Sequence, residues 1–168
     1  AACCNLSESF ETNPSVDVSY SDAVTGAKQI QLLGLAGTYV QMLTENYPNM
    51  RGNSALYGMD YIPGPWMESI QVSKGAASVK NGFESLTGQI NVEYKKPKTA
   101  DPLSLNVFVS DAGRYEANAD GAIELNDKLS TGLFLHYSTE QSSHDDNNDT
   151  FLDMPKKHQF NAMNRWHY

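Results

Sequence analysis

The sequence predicts a mostly β chain in two parts: an α+β unit, a small mixed sheet with short helices, followed by antiparallel strands of the kind that build a transmembrane β-barrel. Three observations carry this reading. Strand-like runs broken by Pro and Gly fill residues 13–96, apolar/polar alternation fills residues 103–168, and a basic, Pro-broken hinge, Lys95-Lys96-Pro97-Lys98, parts them.

In the first part, Cys3, Leu6 and Phe10 stand at i, i+3 and i+7, the stripe of a short amphipathic helix that Asn13-Pro14 ends. Val16, Val18 and Tyr20 then alternate with Asp17 and Ser19, a half-buried strand opening into the polar segment 21–27. Strand-like runs follow at 28–33 and 39–44, with Gly34 and Gly37 punctuating the connection. Residues 46–65 hold three Pro and three Gly, too many breakers for a regular element. They predict a long functional loop with a short tethered piece around 57–62. Residues 69–73 read as a strand, 76–80 as a helical turn bounded by Gly75 and Gly82, and 89–95 as another strand.

After the hinge, Leu103, Leu105, Val107 and Val109 alternate with Ser104, Asn106, Phe108 and Ser110, and three further segments near 116–125, 129–137 and 159–168 repeat the pattern. Four segments of about 8–10 residues with one apolar face, the last ending in Trp166 and Tyr168, match tilted outer-membrane strands. Asn126-Asp127-Lys128 is a tight turn and 138–158 a long polar loop, an asymmetry typical of that class. Alternation alone fits an antiparallel sandwich sheet with one wet face equally well.

Composition narrows the partners. A chain of 168 residues holds one domain, or one plus a fragment. Twelve basic against twenty acidic side chains, a formal charge of −8, argue against nucleic acid or a polybasic lipid-binding surface. The longest apolar run is four residues, which excludes a membrane-spanning helix but not a β-barrel. Cys3 and Cys4 are adjacent and make no disulfide framework.

Four blocks carry a family resemblance: Asn13-Pro14-Ser15-Val16-Asp17-Val18; Gln29-Ile30-Gln31-Leu32-Leu33-Gly34; Leu43-Thr44-Glu45-Asn46-Tyr47-Pro48; and Ser69-Ile70-Gln71-Val72-Ser73-Lys74-Gly75 leading to Asn81-Gly82 and Thr87-Gly88-Gln89-Ile90-Asn91-Val92. In this order and spacing the chain resembles the plug domain of TonB-dependent outer-membrane receptors, and the alternating strands resemble the start of their barrel. The resemblance implies a plug over 1–96, a hinge over 97–102 and the first four strands of an incomplete barrel over 103–168. A barrel of about 22 strands needs more than about 200 residues of strand alone. It also implies import of a scarce solute (a corrinoid, ferric siderophore or metal chelate) across the outer membrane of a Gram-negative bacterium. TonB would engage a segment N-terminal to the plug, outer-membrane lipid would surround the wall, and no covalent chemistry or required cofactor is expected. Two plug arginines of the family are replaced, by Leu33 and Lys74. A lysine lacks the bidentate fork of arginine.

In the family, outward plug loops touch the substrate. Carried over, these are 21–27 and 49–57 with 37–38 as an accessory, giving Ser21, Asp22, Thr25, Thr38, Tyr47, Met50, Arg51, Asn53 and Tyr57 as candidate contacts. Separately, Asp145, Asn147, Asp149 and Asp153 stand at relative positions 1, 3, 5 and 9, similar to a calcium loop. Thr150 replaces the glycine of that pattern and Lys156 its closing glutamate, so a solvated acidic loop is the alternative. Cys3 and Cys4 with Met42, Met50, Met59 and Met67 raise Cu(I) against inert core packing. His136, His144, His158 and His167 lack zinc spacing, and residues 52–56 lack the closing glycine of a nucleophile elbow, which disfavours an enzyme. The rival function is a soluble secreted or periplasmic β-rich ligand-binding module.

Overall fold

The computed structural model describes every residue except 1–3, 11, 12, 15, 23–25, 78–83, 144, 146, 147, 149 and 151, and for Ser21, Asp22, Asn53 and Leu56 the backbone alone. The chain divides into two units, Ala1–Tyr94 and Lys95–Tyr168, each with its own sheet structure.

In the first unit, β1 (Asp17–Asp22) and β2 (Ala27–Gln31) form an antiparallel hairpin with Val18 opposite Ile30. A second, mixed sheet runs in the order β4, β3, β6, β5. In it β3 (Val40–Thr44) lies parallel to β6 (Gly88–Tyr94), β5 (Met67–Lys74) is antiparallel to β6, and β4 (Tyr47–Pro48) folds back on β3. Glu45 and Asn46 link β3 to β4 with φ of 51° and 66°, the positive pair of a type I′ turn. That backbone is held in place: Glu45 N donates to Val92 O at 2.9 Å and Asn46 N to Asn91 Oδ1 at 2.8 Å.

No hairpin can join parallel neighbours. Between β3 and β6 the chain therefore makes an excursion through α1 (Asn53–Tyr57), two 3-10 turns (Gly58–Tyr61 and Gly64–Trp66) and β5. Val40 and Met42 of β3 and Ile90 and Val92 of β6 pack with Leu6, Phe10, Ile30, Leu32, Met59 and Ile62 into one core. Full burial of each such aliphatic or aromatic side chain contributes about 1.5–3 kcal/mol.

Three expectations for this unit are corrected or fall elsewhere. The stripe at the start forms a turn and a single 3-10 turn, Glu8–Phe10, not a helix. Asn5 caps that turn, its Oδ1 accepting from Glu8 N at 3.0 Å, but the capped turn does not continue as an α-helix. The backbone meanwhile pairs elsewhere, Leu6 N with Ile62 O and Gly64 N with Cys4 O, both at 3.0 Å. Leu6 and Phe10 are buried and so is Cys4, while Cys3 lies outside the described residues. The breaker-rich stretch 46–65 does contain a regular element, α1, because Asn53-Ser54-Ala55-Leu56-Tyr57 has no breaker of its own. Of the helical turn expected at 76–80, Ala76 and Ala77 have no regular structure and 78–80 lie outside the described residues.

The second unit is an antiparallel meander in the order β10, β9, β8, β7. Its strands are β7 (Ser104–Val109), β8 (Arg114–Asn126), β9 (Leu129–Glu140) and β10 (Lys157–His167). Three of them outrun the 8–10 residues expected, at 13, 12 and 11, so the polar loop shortens to 141–156. The turn after β8 is as short as its sequence indicates, with Lys128 N donating to Asn126 Oδ1 at 3.0 Å.

Register gives each face its character. One row across the four strands reads Val107, Ala117, Tyr137, Phe160, and the adjacent row, on the opposite face, reads Asn106, Asn118, His136, Asn161. Burial is inverted with respect to a soluble sheet. Glu116 and Asp120 are 3% and 2% exposed, whereas Leu105 and Phe160 are 71% and 69% exposed. Buried polar groups are stabilised by pairing, and most of the charged ones here are paired: Arg114 with Glu116, Lys95 Nζ with Asp120 Oδ2 at 3.0 Å, and His136 Nδ1 donating to Asn118 Oδ1 at 2.7 Å, while Ser130 Oγ and Glu140 Oε2 have no hydrogen-bond partner among the described residues. The start of the hinge is fastened to that face, since Arg165 Nη1 also donates to Lys95 O at 3.1 Å. Pro97 is buried above Gly132, where a side chain would come within 3.5 Å of its ring. Among the described residues no helix is long and apolar enough to cross a membrane, which says nothing of a crossing made by strands.

Candidate functional site

The excursion between β3 and β6 borders a half-open cavity of about 150 Å³ in the first unit. Its floor comes from β3, through Val40, Gln41 and Met42; its walls come from Gly37 and Thr38 before β3 and from residues 49–52 and Ala55 after it; Glu84 closes one side. The loop 49–52 is built to a fixed shape. Asn49 Nδ2 donates to Thr44 Oγ1 and Asn49 Oδ1 accepts from Met50 N, both at 2.9 Å. Met50 and Gly52 have φ of 53° and 60°, so the backbone on either side of Arg51 is left-handed. The thioether of Met50 lies over Gly58, where a Cβ would stand 3.0 Å from Sδ. Arg51 crosses the rim, Nε donating to Glu84 Oε2 at 2.9 Å, and Ser54 Oγ donates to Arg51 O at 2.7 Å.

Of the candidate contacts, the cavity gathers Thr38, Met50 and Arg51. Tyr47 on β4 and Tyr57 at the end of α1 are exposed and do not line it. Ser21 and Asp22 end β1 and Asn53 opens α1, with their backbones described, while Thr25 lies outside the described residues. Sequence reasoning missed Gln41 and Glu84. Gln41 reads as the polar, outward position of an alternating strand, yet it is 2% exposed because β3 is covered on both sides. Glu84 is distant in sequence from Arg51, and no spacing rule joins them.

The metal candidates are distributed differently. Met42, Met59 and Cys4 are buried, Met42 and Met59 as members of the core cluster, with Met50 and Met67 packed against it. Asp145 Oδ2 accepts from Thr150 N at 3.0 Å, Asp153 is described and exposed, and Asn147 and Asp149 lie outside the described residues. Among the described residues no three His, Cys, Asp or Glu side chains cluster to hold a metal ion.

The sequence profile of the TonB-dependent Receptor Plug Domain matches residues 4–89, about half of the chain, and the chain belongs to the TonB-dependent receptor family. Members of that family are transporters rather than enzymes. No curated protein sequence matches the chain. Among solved structures, it is similar to the copper transporter OprC, with a TM-score of 0.74 and 18% identity over 96% of this chain and 25% of that one. FpvA of P. aeruginosa in an iron complex with a heterologous pyoverdine gives a TM-score of 0.70 and 18% identity over 83% of this chain and 18% of that one. The siderophore receptor PiuA from Acinetobacter baumannii gives 0.67 and 17%, over 86% and 20%. At these identities the likeness is one of fold. The chain spans a quarter or less of the length of each of these structures.

Proposed function

We propose that the chain is the plug (1–96), hinge (97–102) and first wall strands (103–168) of a receptor in the outer membrane of a Gram-negative bacterium. It imports a scarce solute, a corrinoid, ferric siderophore or metal chelate, using energy delivered through TonB. The observation that carries this is the pairing of a plug domain with a sheet whose apolar face is exposed and whose charged face is buried. A wall of a membrane barrel has that polarity and a water-soluble sheet the reverse. The similar structures, named as a copper transporter and as siderophore receptors, support a metal-bearing solute. The candidate contacts Ser21, Asp22, Thr25, Thr38, Tyr47, Met50, Arg51, Asn53 and Tyr57 would be the plug's share of the binding surface.

The test is growth and uptake of labelled cobalamin, ferric siderophores and copper at limiting supply, in cells with and without the gene and with TonB function removed. One solute should be lost in both knockouts. If no solute depends on TonB, energised import fails and the soluble secreted or periplasmic binding module takes its place.

Calcium at the loop 145–153 is a second proposal, motivated by the spacing of Asp145, Asn147, Asp149 and Asp153 and by the loop-closing bond of Asp145 to Thr150. Terbium luminescence of the full chain should rise on binding and fall when calcium competes, and the double variant Asp145→Asn, Asp153→Asn should abolish it. A signal indifferent to that variant rules the site out.

A further inference from the structure

Arg51 and Glu84 form an exposed ion pair, their side chains 57% and 31% exposed. A pair in that setting adds little to stability, so its place at the mouth of the cavity asks for another explanation. Three observations point the same way. First, the guanidinium has five N–H donors, and Glu84 takes Nε; among the described residues neither Nη1 nor Nη2 has a partner. Second, Arg51 is held from both sides, by left-handed backbone at Met50 and Gly52 and by Ser54 Oγ on its carbonyl, so the base of its side chain is fixed before any ligand arrives. Third, Arg51 is the one cation among the described residues lining the cavity, in a chain of net charge −8.

The size of the cavity limits what enters it. Pockets that enclose a whole drug-sized ligand run to about 300–1,000 Å³, and this one is about 150 Å³. It takes one arm of a solute, a group of a few heavy atoms, while the body of the solute stays above the rim. The arm meets a mixed lining: the apolar Val40, Met42 and Ala55 and the polar Gln41 and Asn49. At the entrance stands a guanidinium edge whose two parallel N–H groups match a carboxylate.

We infer that Arg51 selects a carboxylate-bearing chelate, binding one carboxylate arm through Nη1 and Nη2 while Glu84 holds the guanidinium by Nε. This rests on the reading of the cavity as part of an import site and gives that site a substrate class. Arg51 is the specificity residue, and Glu84 is a positioning residue that acts through it. Lysine at position 51 keeps the charge but loses the fork, so selectivity depends on geometry as well as sign.

The test uses the complete receptor purified in detergent, with three iron chelates as probes: ferric citrate, which carries carboxylates, ferrichrome, which is neutral, and ferrioxamine B, which is cationic. Affinity is measured by quenching of tryptophan fluorescence. Ferric citrate should bind best, Arg51→Ala should weaken it about 10- to 100-fold, the loss expected for hydrogen bonds to a charged group, and Arg51→Lys should recover only part. Glu84→Ala should weaken it less than Arg51→Ala and leave the order of the three probes unchanged. The inference is overturned by a preference for the neutral or cationic chelate, by ferric citrate binding that Arg51→Ala leaves intact, by no binding of ferric citrate, or by tighter binding in Glu84→Ala. Uptake of the same chelates with and without TonB separates the two claims. TonB-dependent uptake of a chelate indifferent to Arg51 defeats the carboxylate assignment and spares the importer, whereas uptake of none through TonB defeats the importer.

Discussion

Without detergent, the 168-residue chain is expected to associate in water, while a chain ending at Lys96 stays monomeric. The second unit leaves Leu105, Val107, Ile123, Leu133, Phe160 and Trp166 on one face, each between 49% and 74% exposed. At about 1.5–3 kcal/mol per side chain, withdrawing six of them from water is worth on the order of 10 kcal/mol, as much as the whole stability of an ordinary domain. A soluble monomer rarely leaves so continuous an apolar surface uncovered. The first unit buries Leu6, Phe10, Ile30, Ile90 and Val92 in a core of its own, and its exposed leucines, Leu33, Leu35 and Leu86, stand outside its strands rather than on one continuous face. Light scattering behind size-exclusion chromatography, with and without detergent, reads both chains. A detergent-free monodisperse monomer of all 168 residues, with slowly exchanging amides in β7 to β10, would overturn the membrane-wall assignment.

Gly88→Ala is expected to be the most damaging small substitution in the plug. A Cβ at this position would lie 2.3 Å from Ser73 O and 2.8 Å from Leu32 Cδ1. The nearer obstacle is backbone, and it has no room to yield: Gly88 pairs with Lys74 in the β5–β6 ladder and Gly75 N donates to Thr87 O at 2.8 Å just beyond. Overpacking of this kind costs about 3 kcal/mol. Gly34→Ala provides the comparison. It has a φ of +74° and nothing within 4 Å, so it loses only the backbone preference, about 1–2 kcal/mol. Urea unfolding of the chain ending at Lys96 measures both. Equal midpoints for the two variants would mean that β5 and β6 are not packed as closely at Gly88 as described.

The strands after the hinge are the most legible part of the sequence because alternation is a local rule: the face of each residue follows from counting by twos within its strand, and one tight turn sets Ala117 opposite Tyr137. Phe134 is the exception, an aromatic buried on the polar face among Ser130 and His136, and alternation offers no reason for it. The plug strands were legible from their blocks of residues, but α1 was hidden by the glycines and prolines around it. The helical stripe at Leu6 and Phe10 misled because burial at that spacing needs only a turn when another segment, here 62–64, supplies the backbone partners. The cavity could not be read at all. It exists because a parallel pair of strands obliges the chain to wander, and the wandering brings Glu84 to Arg51. Whether Gln41 faces solvent or a cavity is likewise decided by what crosses over β3, which no neighbour in sequence reports.

The apolar face of the four-stranded sheet carries a hazard of its own. Phe160 and Trp166 of β10 stand on it with Leu105 of β7 and Leu133 of β9, each at least 49% exposed. An apolar surface of that extent associates with any other it meets, and a polypeptide newly made in water meets its own copies first. On the reading of these strands as a membrane wall, the interval between synthesis and bilayer is then the hazardous part of this molecule's existence. A dilute pool, rapid delivery or a holding chaperone is needed for the strands to find lipid before they find each other.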